Sequence, residues 1–263
     1  MEIVLTETPA DAAERVATEI LTALAKKPSL VLGLATGSTP IQVYERLREA
    51  RQSGEADFSQ VRTFNLDEYL DLPPDHPQSY RTFMRDHLFA GLGIPPEQIH
   101  FPPSEGSQLV QRCGDYEDAI VAAGGIDIQL LGMGRNGHVG FNEPTSSIRS
   151  RTRLKTLTQR TLDDNARFYA DGEAQPTLAS TMGIGTILDA RRILLQAYGV
   201  KKANAVRACV EGPVSSFFPA SALQLHANTT CYFDPEAAQF LAMTDYYRET
   251  RKNKEALAAA GRM

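Results

Sequence analysis

The chain has 263 residues, 42% of them hydrophobic and 22% charged, which is enough for one large packed α/β domain and too balanced for extended disorder. Its net charge of −5, with lysines and arginines scattered along the chain, argues against nucleic acid as a partner, yet a few local donors could still hold a small anion. Cys113, Cys209 and Cys231 form no CxxC pair, the start lacks a signal-peptide pattern, and no stretch approaches the roughly 18 apolar residues a membrane span needs, so a reducing cytoplasm is the expected setting.

In chain order, "EIVLTE" predicts a strand, "PADAAERVATEILTALAKK" an amphipathic helix and "SLVLGLATG" a buried strand ending in glycine. "STPIQVYERLREAR" predicts a helix, with Thr39 or Ser38 as its cap and Pro40 in its first turn. The segment "VRTFNLDEY" predicts one strand, and "SYRTFMRDHLFAGL" and "CGDYEDAIVAAG" predict helices. Further on, "IDIQLLGMG" and "ARRILLQAYG" predict strands, "VKKANAVRACVEG" a helix, and "ALQLHANTTCYFD" closing strand material. This alternation implies an open, mostly parallel sheet with helices on both faces, a Rossmann-like α/β fold. No linker divides residues 1–263, so a single domain is expected. The long polar stretch from Ser146 to Pro176 reads as an excursion from the core, a candidate lid at about 150–182.

In such sheets ligands sit beyond the carboxyl ends of the strands, and three polar stretches fall there. In "LGLATGSTP" a buried strand runs into Gly37, Ser38 and Thr39 before a helix, which is either a well-made helix start or an anion pocket of N–H groups and hydroxyls. The pattern matches neither GxGxxG nor GxxxxGK, so a phosphorylated metabolite fits better than a nucleotide. In "FNLDEYL", Asp67 and Glu68 point to opposite sides of an extended segment, so one at most faces a given pocket, and the pair also fits an exposed acidic turn. In "LLGMGRNGHVGFNEP", His138 has a carboxylate, Glu143, five residues on, able to orient the imidazole. Three such stretches on one sheet edge define a candidate active site.

"LGLATGSTP", "FNLDEY", "GMGRNGHVGFNEP", "SRTRLKTLT", "NARF", "GVKKA" and "SALQLH" occur in the order and spacing of the glucosamine-6-phosphate deaminases, a family this chain resembles over essentially its whole length. The resemblance implies a phosphosugar-isomerase type of fold and conversion of glucosamine 6-phosphate to fructose 6-phosphate and ammonia, formally a hydrolase acting on a C–N bond, with no metal or organic cofactor. It implies that Asp67 moves the proton in enolisation, that His138 opens the ring and that Glu143 supports it. At Asn136 many relatives carry aspartate. An amide beside the imidazole accepts a hydrogen bond without neutralising an imidazolium, so His138 is expected to be less basic here. Gly37, Ser38 and Thr39, with Arg167 and Lys202, match the family's phosphate ligands. Ser146, Arg153 and Lys155 resemble part of the regulatory phosphate site found in those relatives that are hexamers activated by N-acetylglucosamine 6-phosphate, so a homo-oligomer is possible. The alternatives are a 6-phosphogluconolactonase-like hydrolase, which shares the phosphate loop, and a sugar-phosphate sensor, which would need a DNA-reading element that the sequence does not display.

Overall fold

The computed structural model describes residues 1–73, 75–157 and 175–262. Seven parallel strands form the main sheet in the order β1-β10-β9-β6-β2-β3-β5. They are β1 (Glu2–Leu5), β2 (Val31–Leu34), β3 (Arg62–Asn65), β5 (Ile99–His100), β6 (Ile128–Gly132), β9 (Arg192–Ala197) and β10 (Thr229–Phe233). A second, antiparallel sheet in the order β4-β8-β7 joins β4 (Asp67–Tyr69), β7 (Arg153–Thr156) and β8 (Leu178–Thr181).

The central strands are apolar on both faces because each face has its own helical cover. On one side Leu32, Leu34, Leu130, Leu194 and Tyr232 pack beneath α1 (Pro9–Lys26) and α2 (Ile41–Gln52). On the other, Val31, Leu131, Ile193, Leu195 and Phe233 pack beneath α4 (Leu109–Ala122) and the helix Ala203–Val210. Each fully buried Leu or Ile contributes about 1.5–3 kcal/mol relative to exposure, so this double burial dominates the stability of the sheet. α1 begins where Thr8 accepts a hydrogen bond from Asp11 N–H, and its buried stripe Ala12, Ala13, Val16, Ala17, Ile20, Leu24 has the helical period.

The expected strands and helices of the main layer are present, with three differences. "VRTFNLDEY" is two strands in two sheets: Leu66 N–H donates to Leu34 O in the main sheet, whereas Leu66 O accepts from Met182 N–H beside the small one. Neither Thr39 nor Ser38 caps α2; Pro40 takes the cap position with helical backbone angles, and no side chain bonds the first turn. Residues Pro219–Leu225, including "ALQL", form a 3₁₀ helix, and the closing strand starts only at Thr229. The helix α3 (Tyr80–Met84) continues as a π-helical turn over Arg85–Phe89.

The flanks of the expected lid are β7 and β8; residues 158–174, which carry Arg167, lie outside the described residues. The segment entering β7 is held by Glu117 of α4, whose carboxylate accepts from Thr152 N–H at 2.7 Å, from the hydroxyls of Thr152 and Thr186, and from Arg151. Burial alone raises the Glu117 carboxyl, but these donors and the Arg151 charge outweigh it and hold the group below its ordinary value. A depressed carboxyl contributes stability above its unfolded value and loses it as pH falls through the folded one. Glu117→Gln is therefore expected to cost about 1–3 kcal/mol at neutral pH, and urea unfolding repeated near pH 3 should find that deficit largely gone.

Candidate active site

β6, β2 and β3 are neighbours in the main sheet, so their carboxyl ends open onto one pocket of about 560 Å³. Its walls include Gly37, Ser38 and Thr39 after β2, Asp67 after β3, His138 after β6, and Lys202 after β9. These four short stretches, far apart in sequence, thus supply one cavity, as the switch-point rule for open α/β sheets requires.

At one end of the pocket the backbone of Gly37–Thr39 precedes α2, and Gly37 has φ 97°, a left-handed angle that glycine adopts without strain. Lys202 reaches this region from the short 3₁₀ turn Val200–Lys202, its Nζ donating to Met133 O at 2.6 Å. Burial, and then the nearby Arg135 charge, lower the Lys202 ammonium below its usual range. A cation, hydroxyls and the start of a helix make an anion site.

Asp67 lies deeper. It is 6% exposed, and burial, reinforced by the charge of Glu68, pushes its carboxyl up to about 8. Gly140 in the loop after β6 makes this packing possible: a Cβ there would lie 2.9 Å from Thr181 Oγ1 and 3.3 Å from Asp67 Oδ2, so any side chain would push the loop off the carboxylate.

His138 sits in a loop bound on several sides. Gly134 N–H donates to His138 O, Ala220 N–H to Gly137 O, and Phe141 N–H to Thr181 Oγ1. The buried Asn142 amide bridges Val139 O and Met182 O at 2.9 and 2.8 Å, buckling the loop to the end of β8. The imidazole Nδ1 lies 3.0 Å from Glu143 Oε1, which leaves Nε2 as the nitrogen free to act on a ligand. Burial raises the Glu143 carboxyl, but the hydrogen bond and charge of His138, the Asn136 amide and the Lys155 charge together bring it below its ordinary value.

Asn136 departs from expectation. Its amide does not face the imidazole: Nδ2 donates to Glu143 Oε2 at 2.6 Å, and Oδ1 accepts from His138 N–H at 3.2 Å. The residue acts on the carboxylate behind the histidine because the turn from Gly134 to Gly137 carries its side chain back over the loop.

Glu143 and Asn136 stand behind His138, outside the pocket lining. Ser146 is buried, its N–H donating to Glu143 O. Arg153 and Lys155 lie on β7, where Arg153 shares a register row with Thr181 and Asp67, and Lys155 one with Ala179 and Tyr69. Their distance in sequence from Asp67 hid this adjacency. An aromatic wall was also missed: Tyr69, Tyr80 and Phe141 pack with ring centroids 4.8, 5.4 and 6.1 Å apart, beside Gln78 and Phe83. Its one sequence signal is Tyr80 directly after Ser79, a helix-cap residue, since apolar periodicity does not separate a pocket wall from core.

A buried carboxylate with a raised proton affinity, sharing one pocket with a carboxylate-backed imidazole and a lysine beside a helix start, is the kind of site an acid–base enzyme builds on an α/β sheet. The glucosamine-6-phosphate isomerase/6-phosphogluconolactonase family matches residues 5–232, and the chain belongs to that family. It is 54% identical over 248 residues to a glucosamine-6-phosphate deaminase of Hahella chejuensis, covering 94% of this chain and 95% of that protein. It is 53% identical to the deaminase of Shewanella loihica, covering 98% and 97%. Among solved structures, a monomeric glucosamine-6-phosphate deaminase superposes with a TM-score of 0.86 at 42% identity, covering 91% of this chain and 99% of that one. The 6-phosphogluconolactonase of Trypanosoma cruzi shares the fold at 20% identity, with a TM-score of 0.73 over 92% and 97%.

The Asn136–Glu143 contact sets an expectation for Asn136→Asp. Two carboxylates at this separation cannot both ionise readily, so one proton is shared and the pair titrates in two steps, the later one raised. Carboxyl ¹³C NMR on glutamate-labelled protein checks this: the Glu143 carboxyl should titrate in two steps in the variant, and a Glu143 curve unchanged by Asn136→Asp would show that position 136 does not act on that carboxylate.

Proposed function

We propose that this chain converts glucosamine 6-phosphate and water to fructose 6-phosphate and ammonia, coupling aldose–ketose isomerisation to loss of the amine in amino-sugar catabolism. The observation that carries this reading is the pairing in one pocket of a desolvated carboxylate, Asp67, with a carboxylate-backed imidazole, His138. The relatives of about half identity named as deaminases support it. The lactonase alternative shares the fold at far lower identity.

The phosphate is held by the N–H groups and hydroxyls of Gly37, Ser38 and Thr39 and by Lys202, with Arg167 assigned from the family pattern. His138 Nε2 carries a proton from the C1 hydroxyl to the ring oxygen, which opens the pyranose to the aldehyde, and Glu143, held by Asn136, stabilises the imidazolium formed in passing. Asp67 then takes the C2 proton, now acidified by the aldehyde, and returns it to C1. The C2 enamine becomes an iminium, water adds to C2, and the C–N bond breaks as ammonia departs. The net reaction consumes one water at a C–N bond, so it is formally hydrolytic. We place it in one domain, in the cytoplasm, and name Ser146, Arg153 and Lys155 as candidates for part of a regulatory anion site.

A coupled assay of ammonia release and fructose 6-phosphate formation tests the reading. Asp67 must be ionised to act as a base, so kcat/KM should climb with pH through a midpoint near 8, the value burial imposes on that carboxyl. Asp67→Asn should lower kcat by about 10² to 10⁴ with binding largely kept; near-normal turnover would remove Asp67 from the mechanism.

Lys202→Ala should weaken phosphosugar binding by about 2 to 3 kcal/mol, the scale of a charge-assisted contact. Titration calorimetry with the substrate and with its phosphate-free sugar separates this contact from the rest: the loss should be confined to the phosphorylated ligand.

A further inference from the structure

Glu68 is a buried acid with no part in the proposed chemistry. It is 2% exposed and lies on the opposite face of β4 from Asp67, outside the pocket lining. Its carboxylate accepts three backbone N–H bonds of 2.9 Å, from Tyr69 and Tyr80 at Oε1 and from Arg81 at Oε2. Tyr80 and Arg81 are the first residues of α3. One side chain therefore ties the strand that carries Asp67 to the helix start that carries Tyr80. The Tyr80 hydroxyl lies 3.3 Å from that of Tyr69, and its ring stacks parallel to Phe141, so the placement of Tyr80 fixes the wall over the pocket.

We propose that Glu68 is a positioning residue: its carboxylate clamps the start of α3 to β4 and thereby holds the Tyr69–Tyr80–Phe141 wall that keeps water from Asp67. The proposal rests on the reading of Asp67 as the base and names what keeps that base dry. It also gives Glu68 a second, electrostatic influence, since a buried anion one residue away disfavours ionisation of Asp67. Among the described residues, the titratable groups acting on Asp67 or sharing its pocket are Tyr44 from α2, Tyr69 from β4, Tyr80 from α3, Tyr116 from α4, His138, Lys202 and Glu68 itself, and Arg81 of α3 acts on Glu68. Burial raises Tyr44, Tyr80 and Tyr116, which stay neutral through the working range. Burial is the largest influence on Glu68 and raises its carboxyl, against the three backbone N–H bonds and the Arg81 charge that lower it, so its effect on Asp67 is present only once pH passes that raised midpoint; the group can be removed without altering one that touches the ligand.

The test uses the full chain in two forms. Glu68→Gln removes the charge but keeps an oxygen for Tyr69 and Tyr80 N–H; Glu68→Ala removes the clamp. Carboxyl ¹³C NMR on aspartate-labelled, ligand-free protein follows Asp67, with Asp67→Asn for assignment, and hydrogen exchange follows the segment 79–84. The expected result is a fall of about one pH unit or more in the Asp67 midpoint in both variants. Exchange of Tyr80 and Arg81 amides should quicken about tenfold or more in Glu68→Ala, and the rising limb of kcat/KM should move down with the Asp67 midpoint. A folded Glu68→Ala protein whose Asp67 midpoint and segment 79–84 protection match the natural chain would overturn the proposal, and so would a Glu68→Gln protein whose Arg81 amide, left facing an NH2 group, exchanges no faster than in the natural chain. A loss of packing alone would not move the pH midpoint of a folded Gln variant. Because the titration needs no substrate, a chain that turns over no amino-sugar phosphate would sink the proposed function and leave this result standing.

Discussion

The site depends on the change of sheets at Leu66. Its N–H continues the parallel ladder to Leu34, and its carbonyl turns to Met182 beside the small antiparallel sheet. Backbone groups leaving a sheet for a buried environment must find partners, and β8 supplies them. The next residue, Asp67, pairs with Thr181 and so stands above the carboxyl edge of the main sheet, where a simple continuation of β3 would have carried it away from the pocket. The same β8 receives the His138 loop through Thr181 Oγ1 and Met182 O. The strand of Asp67 and the loop of His138 are thus both anchored at one short strand.

That shared anchoring lets two acidic environments coexist, Asp67 lining the pocket and Glu143 behind His138 outside it. Asp67 is dry and proton-retentive; Glu143 is hydrogen-bonded, faces a histidine and remains an anion. Groups whose surroundings push their proton affinities apart divide acid–base work between them. The small sheet also places Arg153 and Lys155 on the strand beside β8, in register rows with Asp67 and Tyr69.

The aromatic wall is assembled from three separate elements. Tyr69 comes from β4, Tyr80 from α3 and Phe141 from the loop after β6, and their rings meet along one side of the pocket. Burial is the main cause of the raised Asp67 carboxyl, and the Glu68 charge adds to it.

By itself the sequence determined the alternating layer order, the three strand ends that carry Gly37–Thr39, Asp67 and His138, and the pairing of His138 with Glu143. These follow from local signals, namely short apolar runs, glycine breaks and residues five apart in one loop. Only the tertiary structure decided that β3 ends at Asn65 and hands over to a second sheet, since periodicity cannot distinguish one strand from two that pair with different partners. It also decided that Asn136 addresses Glu143 and not the imidazole, because a tight turn sets side-chain direction in a way residue spacing does not reveal. Glu68 makes the distinction plainest. In the sequence it is one of two adjacent acids, as easily an exposed turn as a site; in the fold three N–H groups brought from β4 and α3 satisfy its carboxylate out of water, which only long-range packing can arrange.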